Sequence, residues 1–138
     1  MKYRAYKFRF YPTEAQAELL IKTFGCVRFV YNKALEERKR LWEEEKQYSN
    51  WDEDSRRLTI WKSSEEMSFL REVPSTSTIY ALWNLECSYR NFFKKRSNSP
   101  RFKSKHHSRD SAYFSNQSLR LKGSELYLQK MRGPLNIV

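Results

Sequence analysis

The sequence predicts an α+β fold in which a small antiparallel sheet or partial barrel carries an inserted helical lobe. Three observations predict this fold. Residues 4–11 alternate between apolar and basic side chains, as a half-buried strand does. Residues 13–93 repeat apolar side chains every three or four positions, which indicates helices. Residues 111–138 return to short alternating segments, so the first and last strands are expected to pair across the helical insertion.

The first predicted helix begins at a recognisable cap. Thr13 and Gln16 have capping-box spacing, and apolar residues recur on one face from there to Gly25, where the helix is expected to end. A second helix follows directly, with an apolar stripe over residues 27–42. Two helices joined by a tight glycine turn predict a helix-turn-helix-like pair.

The middle of the chain predicts a loop and then further helices. Residues 47–54 are polar, and Trp51 has no apolar pattern to join, so a loop is expected there. One or two short helices are expected over residues 58–70. A long helix begins after Pro74 and repeats apolar residues at threes and fours up to Phe93.

Short strands are expected in the last part of the chain. Residues 111–115 and 119–129 alternate, and Lys122-Gly123-Ser124 has the composition of a hairpin turn within the second segment. Residues 134–138 begin a strand that has no following neighbour, which is typical of a truncated end.

Positive charge is concentrated in the last third of the chain. Residues 87–138 contain twelve Lys or Arg and two acids, whereas residues 1–86 contain fifteen and fourteen. The densest part, residues 90–109, has eight basic residues, no carboxylate, and phenylalanine at 92, 93 and 102. Because Lys and Arg neutralise phosphates and aromatic rings stack on bases, nucleic acid is the predicted partner. The alternative is a solvated face or a disordered basic tail.

The sequence predicts no catalytic residues and no metal ligands. Fourteen of the sixteen carboxylates lie in the first 86 residues, mostly beside Lys or Arg, as in surface ion pairs rather than a two-metal site. The adjacent His106 and His107 stand in a basic loop, where phosphate contact or solvent exposure is expected rather than metal binding. With only three glycines, the chain has no glycine-rich phosphate loop.

The cysteines and the hydropathy indicate the compartment. Cys26 and Cys87 each fall within an apolar helical pattern, so both are expected to be buried free thiols rather than a disulfide. No signal-peptide run and no stretch long enough to cross a bilayer occurs. A cytoplasmic protein without a membrane partner is expected.

Four motifs together resemble one family. They are Tyr-Pro-Thr-Glu-Ala-Gln at 11–16, Phe-Gly-Cys-Val-Arg-Phe-Val-Tyr-Asn-Lys-Ala-Leu at 24–35, Asn-Phe-Phe-Lys at 91–94 and Pro-Arg-Phe-Lys-Ser-Lys at 100–105. In order and spacing they resemble the TnpB proteins, also called OrfB, of insertion sequences. The resemblance covers essentially the whole chain but only the N-terminal part of that family. The chain departs from the family at Asn98-Ser99, which replaces Gly-Phe, and at residues 75–80, which lack a Gln-rich run.

The resemblance implies part of a prokaryotic RNA-guided DNA endonuclease, linked to transposition and DNA recombination and associated with the nucleoid when bound to DNA. It implies wedge strands over residues 1–11 and 99–138, and a helical recognition lobe over residues 12–98. The partners would be a guide RNA and double-stranded DNA. The family's RuvC-like nuclease and zinc ribbon would lie downstream of Val138, so this part is expected not to be an enzyme. Magnesium and zinc are expected only in that downstream part, and no cofactor in this one.

Two sets of candidate binding residues follow. The basic pattern predicts contacts to an RNA or DNA backbone at Lys7, Arg9, Lys94, Lys95, Arg96, Arg101, Phe102, Lys103 and Lys105. Phe102 is expected to be a packed anchor more than a base platform. The resemblance implies that a second set faces the target-adjacent duplex: Trp51, Ser75, Thr76, Ile79, Tyr80, Ser115 and Asn116. The alternative for this set is structural, with Ser75 or Thr76 capping the helix and Trp51 packing on it.

Two other functions fit the sequence. A stand-alone helix-turn-helix DNA-binding protein, either repressor-like or a transposon remnant, would use the same basic residues without a guide. A helical protein-interaction domain would make the basic loop incidental. An open frame with nuclease motifs beyond Val138 would distinguish the guided protein from the stand-alone one. No feature of the sequence predicts an oligomeric state.

Overall fold

The computed structural model describes residues 2–106 and 109–138. Within these residues it contains three α helices, one 3-10 helix and a three-stranded antiparallel sheet. The elements in chain order are α1 (Glu14–Glu45), α2 (Trp51–Ser63), the 3-10 helix (Ser68–Glu72), α3 (Ser75–Phe93), β1 (Leu119–Lys122), β2 (Glu125–Leu128) and β3 (Leu135–Asn136). A helical block is followed by a small sheet, which confirms the α+β prediction.

The start of α1 is capped and tied to the sheet. The backbone N–H of Thr13 donates to Gln16 Oε1 at 2.9 Å, and Thr13 Oγ1 accepts from the Gln16 backbone N–H at 3.3 Å, so the predicted capping box is present. Gln16 Nε2 also donates to the carbonyl of Pro134 at 3.0 Å. One side chain therefore satisfies the helix cap and holds the segment that leads into β3.

Helix α1 does not end at Gly25, so the turn predicted there is wrong. Glycine inside a helix costs about 1 kcal/mol relative to alanine. The neighbouring Thr23, Cys26 and Val30 are buried in the same helix, and burying one apolar side chain contributes about 1.5–3 kcal/mol. Burial thus outweighs the glycine cost, and one continuous helix of 32 residues replaces the expected pair.

Helix α2 begins at Trp51, inside the segment predicted to be a loop. Asn50 Oδ1 accepts from the backbone N–H of Glu53 at 3.0 Å, which caps the helix. Three acids fill the first turn, where the helix dipole favours negative charge. The loop prediction for residues 51–54 is wrong because these polar residues are cap and first-turn residues.

The main core lies between the helices. Its largest fully buried side chains are Leu35, Leu58, Leu70, Leu82 and Leu85. They come from α1, α2, the 3-10 helix and α3 in turn. The short helical elements expected over 58–70 and the long helix expected after Pro74 are therefore confirmed, and together they enclose this core.

A buried ion network joins the three α helices. Arg38 Nε donates to Asp54 Oδ2 at 2.8 Å, and Arg38 Nη2 donates to Glu86 Oε2 at 2.6 Å. Arg57 Nη2 donates to Asp54 Oδ1 at 2.6 Å. Burial opposes the charged form of Arg38, but its hydrogen bonds to Asp54 and Glu86 outweigh burial, so the pKa of Arg38 lies above its usual value. The network fixes α1, α2 and α3 relative to one another.

The sheet has the strand order β1-β2-β3. Lys122 pairs with Glu125 across the hairpin, and Gly123 has a φ of 62°, a conformation that glycine adopts without steric cost. The predicted hairpin turn is therefore confirmed. A second, smaller core of Leu20, Leu128 and Leu135 packs α1 against the sheet.

The strand predicted over residues 4–11 is present only at its end. Phe10 forms an antiparallel bridge with Ile137, and the N–H of Val138 donates to the carbonyl of Arg9 at 2.7 Å. Residues 2–9 form no regular element, and Tyr6 is 71% exposed. Alternation shows which face could be buried, but burial needs a packing neighbour, and the chain directly after β3 provides a pairing partner only for this end. Pairing across the helical insertion is confirmed at that point.

Residues 111–115 do not form the strand predicted for them. Instead, Ser77 Oγ donates to the carbonyl of Tyr113 at 2.7 Å, so a helix side chain takes the place of a strand neighbour.

The cysteines are both free. Cys26 is buried and Cys87 is half-buried, and burial raises the pKa of the Cys26 thiol above its usual value. Among the described residues, no helix combines the length and the apolar character needed to cross a bilayer.

Candidate nucleic-acid interface

Residues 94–105, here called the basic segment, are fastened to α1 by one asparagine. Asn32 Oδ1 accepts from the backbone N–H of Lys103 at 2.7 Å, and Asn32 Nδ2 donates to the carbonyl of Lys103 at 2.8 Å. The Lys103 ammonium lies 4.8 Å from the centre of the Tyr31 ring, and Pro100 is buried. The segment is therefore held along the α1 surface rather than extending as a free tail.

A second contact holds the chain beyond the basic segment. Arg28 pairs with Asp110, which is one of the two acids in residues 87–138. Arg28 and Asn32 are four positions apart on α1 and thus lie on the same helix face. Asp110 therefore attaches the chain to the helix and pairs with Arg28 rather than with a cation of the basic segment.

Lys94, Lys95 and Arg96 follow directly on the last turn of α3. Their backbone N–H groups donate to the carbonyls of Arg90, Phe92 and Asn91 at 2.9–3.0 Å, and Lys95 adopts a φ of 59°. All three side chains are exposed. Helix α3 thus ends in a compact turn that carries three exposed cations. Cations at a helix C-terminus interact favourably with the helix dipole.

The cations of the basic segment are available to a ligand. Within the part of the chain that the structure describes, the side chains at positions 94, 95, 96, 101 and 105 form no ion pair. Arg101 and Lys105 are exposed as well. Their positive charge is therefore not neutralised within the described structure.

Phe102 is not the packed anchor that the sequence predicts. It is 52% exposed, and the Lys39 ammonium lies 4.7 Å from the centre of its ring. The anchoring is performed by its neighbours, because Pro100 is buried and Lys103 is bound by Asn32. The ring of Phe102 thus contributes a partly open aromatic face to the surface.

Lys7 and Arg9 lie on a different part of the molecule. Both are exposed on the N-terminal segment, whose end pairs with Ile137 and Val138. Arg9 thus lies beside Val138, whereas the basic segment lies on α1.

Most of the second candidate set meets at one place, here called the α3 junction: the first turns of α3 together with residues 113–118. Tyr80 stacks on Tyr113 with ring centres 3.9 Å apart and 15° between the planes. Thr76 Oγ1 and Ser118 Oγ are 3.0 Å apart, and Ser118 Oγ donates to the carbonyl of Ser115 at 3.2 Å. Hydroxyl groups and one aromatic pair therefore bring the two segments together.

Three further residues of this set are exposed at the same junction. Ser75 and Ile79 lie on α3, and Asn116 lies in the facing turn. Helix α3 follows Pro74 without a side-chain cap, so the predicted alternative role of Ser75 or Thr76 as a cap is wrong.

Trp51 does not belong to this group. Its ring meets the Trp83 ring edge-on at 6.0 Å, about two helical turns beyond Ser75, and it packs on the main core. Trp51 Nε1 is buried without a hydrogen-bond partner in the described structure. The alternative reading, in which Trp51 packs on the helix, agrees with this position.

The histidines give no metal centre in the described residues. His106 is exposed, and His107 lies outside the described residues. Across residues 2–106 and 109–138, no group of three or more His, Cys, Asp or Glu side chains is placed to hold a metal ion.

Comparison with known proteins shows the family of this chain. The family model "Helix-turn-helix domain" of the IS605-type OrfB proteins matches residues 1–47. The chain is 47% identical over 134 residues to "Putative RNA-guided DNA endonuclease" of Streptomyces pristinaespiralis, covering 97% of this chain and 33% of the relative. It is 30% identical over 128 residues to "Putative RNA-guided DNA endonuclease InsQ" of Escherichia coli (strain K12), covering 93% and 32%. The chain belongs to the OrfB (TnpB) family.

The match to these two OrfB relatives is to their N-terminal part, and the chain spans about a third of their length. The similarity extends over nearly all of this chain, so it includes the basic segment and the α3 junction. A third relative is shorter than these two and is covered over nearly its whole length. "Virulence protein VsdF" of Salmonella dublin is 31% identical over 112 residues, which are 75% of this chain and 94% of that protein.

The sequence patterns do not identify the residues that hold the basic segment and the α3 junction in place. Asn32, Tyr113 and Ser118 were not among the candidates, although Asn32 stands within one of the motifs that resemble the family. Asparagine is unfavourable inside a helix because its side chain competes for backbone groups. An asparagine in the middle of a long apolar helical pattern was therefore the available signal for a side chain that binds a neighbouring backbone.

Proposed function

We propose that this chain is the nucleic-acid-holding part of an RNA-guided DNA endonuclease. In this proposal residues 12–98 form the helical recognition lobe, and residues 1–11 with 99–138 form the wedge. The bridge between Phe10 and Ile137 supports that division, because it joins the two ends of the chain around the helical block.

The observation that carries the proposal is the fastened but uncompensated basic segment. Asn32 holds the segment against α1 at Lys103, and Arg28 holds the chain beyond it at Asp110, while its exposed cations form no ion pair in the described structure. A positive surface held in one shape fits phosphates with defined spacing, as in a folded RNA, and gains affinity through released counterions. We assign guide RNA to this surface, with Lys7 and Arg9 adding contacts from the N-terminal segment.

We further propose that the α3 junction faces the DNA duplex beside the target. Ser75 and Asn116 are exposed there, and the Thr76 hydroxyl contacts the Ser118 hydroxyl, which donates to the Ser115 carbonyl. The N-terminal turn of a helix favours anions, and short polar side chains can bind phosphates or base edges. Trp51 is not included in this surface, because its ring packs on Trp83.

Cleavage belongs, in this proposal, to another part of such a protein. The relatives named as endonucleases are about three times as long as the stretch they share with this chain. We propose that the residues that bind catalytic magnesium and structural zinc lie in that further length.

Guide binding is tested by reversing charge on the basic segment. We expect a variant with Lys94, Lys95, Arg96 and Arg101 changed to Glu to bind a structured RNA more weakly. The slope of log affinity against log salt should also fall by roughly one unit for each lost phosphate contact. The control changes Arg56, Arg71, Lys122 and Arg132 to Glu, an equal charge change at exposed positions elsewhere. Equal slopes for the two variants would contradict the proposal.

Duplex recognition is tested in a complete endonuclease that carries this N-terminal part. Exchanging Tyr80 for Leu, or Asn116 for Ala, should change which flanking sequences support cleavage in a randomised-motif depletion assay. Trp51→Phe serves as the control and should leave the motif profile unchanged. A uniform loss of activity with the same profile would reject base recognition at the junction.

A second candidate function is a stand-alone DNA-binding protein. It is favoured by VsdF, because a relative covered over 94% of its length is a protein of about this size. A protein that acts without a guide should retain its affinity for duplex DNA after ribonuclease treatment. A guided protein should lose specific DNA binding after the same treatment, which separates the two candidates.

A further inference from the structure

An exposed aromatic groove lies where the ends of α1 and α3 meet the loop before α2. Trp42 and Tyr48 stack with ring centres 4.6 Å apart and 23° between the planes. Tyr48 meets Phe93 edge-on at 5.6 Å, and Phe93 stacks on Tyr89 at 6.0 Å. The rings line a groove of about 300 Å³. Tyr48 is 66% exposed and Phe93 is 55% exposed, so the helical core does not use these faces.

The groove adjoins the basic segment and has cations in and beside its lining. Phe93 is followed directly by Lys94, Lys95 and Arg96, whose side chains are exposed. Lys39 lines the groove and also lies over Phe102. Lys46, which follows α1, places its ammonium 5.4 Å from the centre of the Trp42 ring.

We infer that this groove binds an unpaired nucleobase of a single-stranded segment of nucleic acid, an inference that rests on the proposed function. The large side chains exposed in the groove are aromatic, and flat rings suit the face of a base. In a duplex the base faces are covered by their neighbours, so only an unstacked base can occupy the site. The cations agree with this occupant, because the phosphates next to a bound base can contact Lys39 and the lysines after Phe93.

The test measures the affinity of the 138-residue chain for two probes: a ten-nucleotide uridine RNA and a blunt-ended, fully paired RNA duplex. Tyr48→Leu keeps an apolar side chain and removes the aromatic face. We expect it to weaken single-strand binding by about fivefold to a hundredfold, because stacking contributes substantially per base, while duplex binding changes by less than about twofold. Tyr48→Phe should retain single-strand affinity.

The matched control is Tyr11→Leu, because Tyr11 is 67% exposed and lies away from the groove. Thermal melting of all variants checks that they fold alike. Unchanged single-strand binding by Tyr48→Leu, or equal losses on both probes, would overturn the groove inference while the proposed function stands. If the wild-type chain binds neither probe, the proposed function is wrong and the groove inference falls with it.

Discussion

The helical block and the sheet bury very different amounts of apolar surface. Among the described residues, the core between the helices contains eleven buried side chains, whereas the core between α1 and the sheet contains three. Several large apolar side chains of the N-terminal segment, the sheet and the C-terminal residue are exposed instead: Tyr3, Tyr6, Phe8, Tyr11, Leu119, Leu121 and Val138. Strands of two to four residues cannot cover such a surface. We therefore expect the helices to supply most of the stability of this chain.

The largest effect is expected from breaking the buried ion network. Asp54→Ala removes the partner of Arg38 and Arg57 and leaves their charges poorly compensated at a site where Asp54 is fully buried. Losing one partner of a buried pair lowers the free energy of unfolding by about 3–5 kcal/mol, to be measured by urea denaturation. Glu44→Ala is the control, because its pair with Arg40 is exposed and should contribute less than about 1 kcal/mol. Similar losses for both variants would show that the network does not fix the helices.

Leucine truncation compares the two cores directly. Leu82 and Leu135 are both fully buried, the first among helices and the second against the sheet. Leu→Ala costs about 2–5 kcal/mol, depending on how far the surroundings collapse into the cavity. We expect Leu82→Ala to fall in the upper half of this range and Leu135→Ala in the lower half, because short strands adjust more easily than packed helices. The reverse order in urea denaturation would contradict the comparison.

A smaller effect is expected where the basic segment is fastened. Asn32→Ala removes two hydrogen bonds to Lys103 and should cost about 1–2 kcal/mol. Trypsin should then cleave faster after Arg101 and Lys103, since the segment leaves α1. Asn84→Ala on α3 is the control and should change neither stability by more than about 0.5 kcal/mol nor the cleavage pattern. Unaltered proteolysis of the Asn32 variant would mean that other contacts hold the segment.

The smallest effect is expected at the α3 junction. Tyr113→Leu removes the stacked partner of Tyr80 and should lower the free energy of unfolding by about 0.5–1.5 kcal/mol. Tyr3→Leu, at a strongly exposed site in the N-terminal segment, should have almost no effect. Both variants are compared by thermal melting. An equal change at both positions would show that the Tyr80–Tyr113 stack does not stabilise the junction.

The candidate interface could be predicted from the sequence in its chemistry but not in its arrangement. The run of cations at 94–105 was evident, and the structure leaves most of those side chains exposed. The role of Phe102 was predicted wrongly, because burial depends on what packs above a residue, and Lys39 covers this ring only in part. The resemblance puts Trp51 in one candidate set with Ser75, but Trp51 contacts Trp83, which lies about two helical turns beyond Ser75 on α3.

The sequence by itself determined the features that depend on near neighbours. The Thr13–Gln16 cap spans three positions, and the Gly123 turn and the start of α3 after Pro74 are equally local. Tertiary structure decided the rest. Gly25 remains helical because its neighbours are buried, and Phe10 becomes a strand residue only where Ile137 reaches it. Asn32 binds a residue 71 positions away. Local hydrogen bonds are encoded within one turn of chain, whereas burial and pairing depend on residues that only folding brings together.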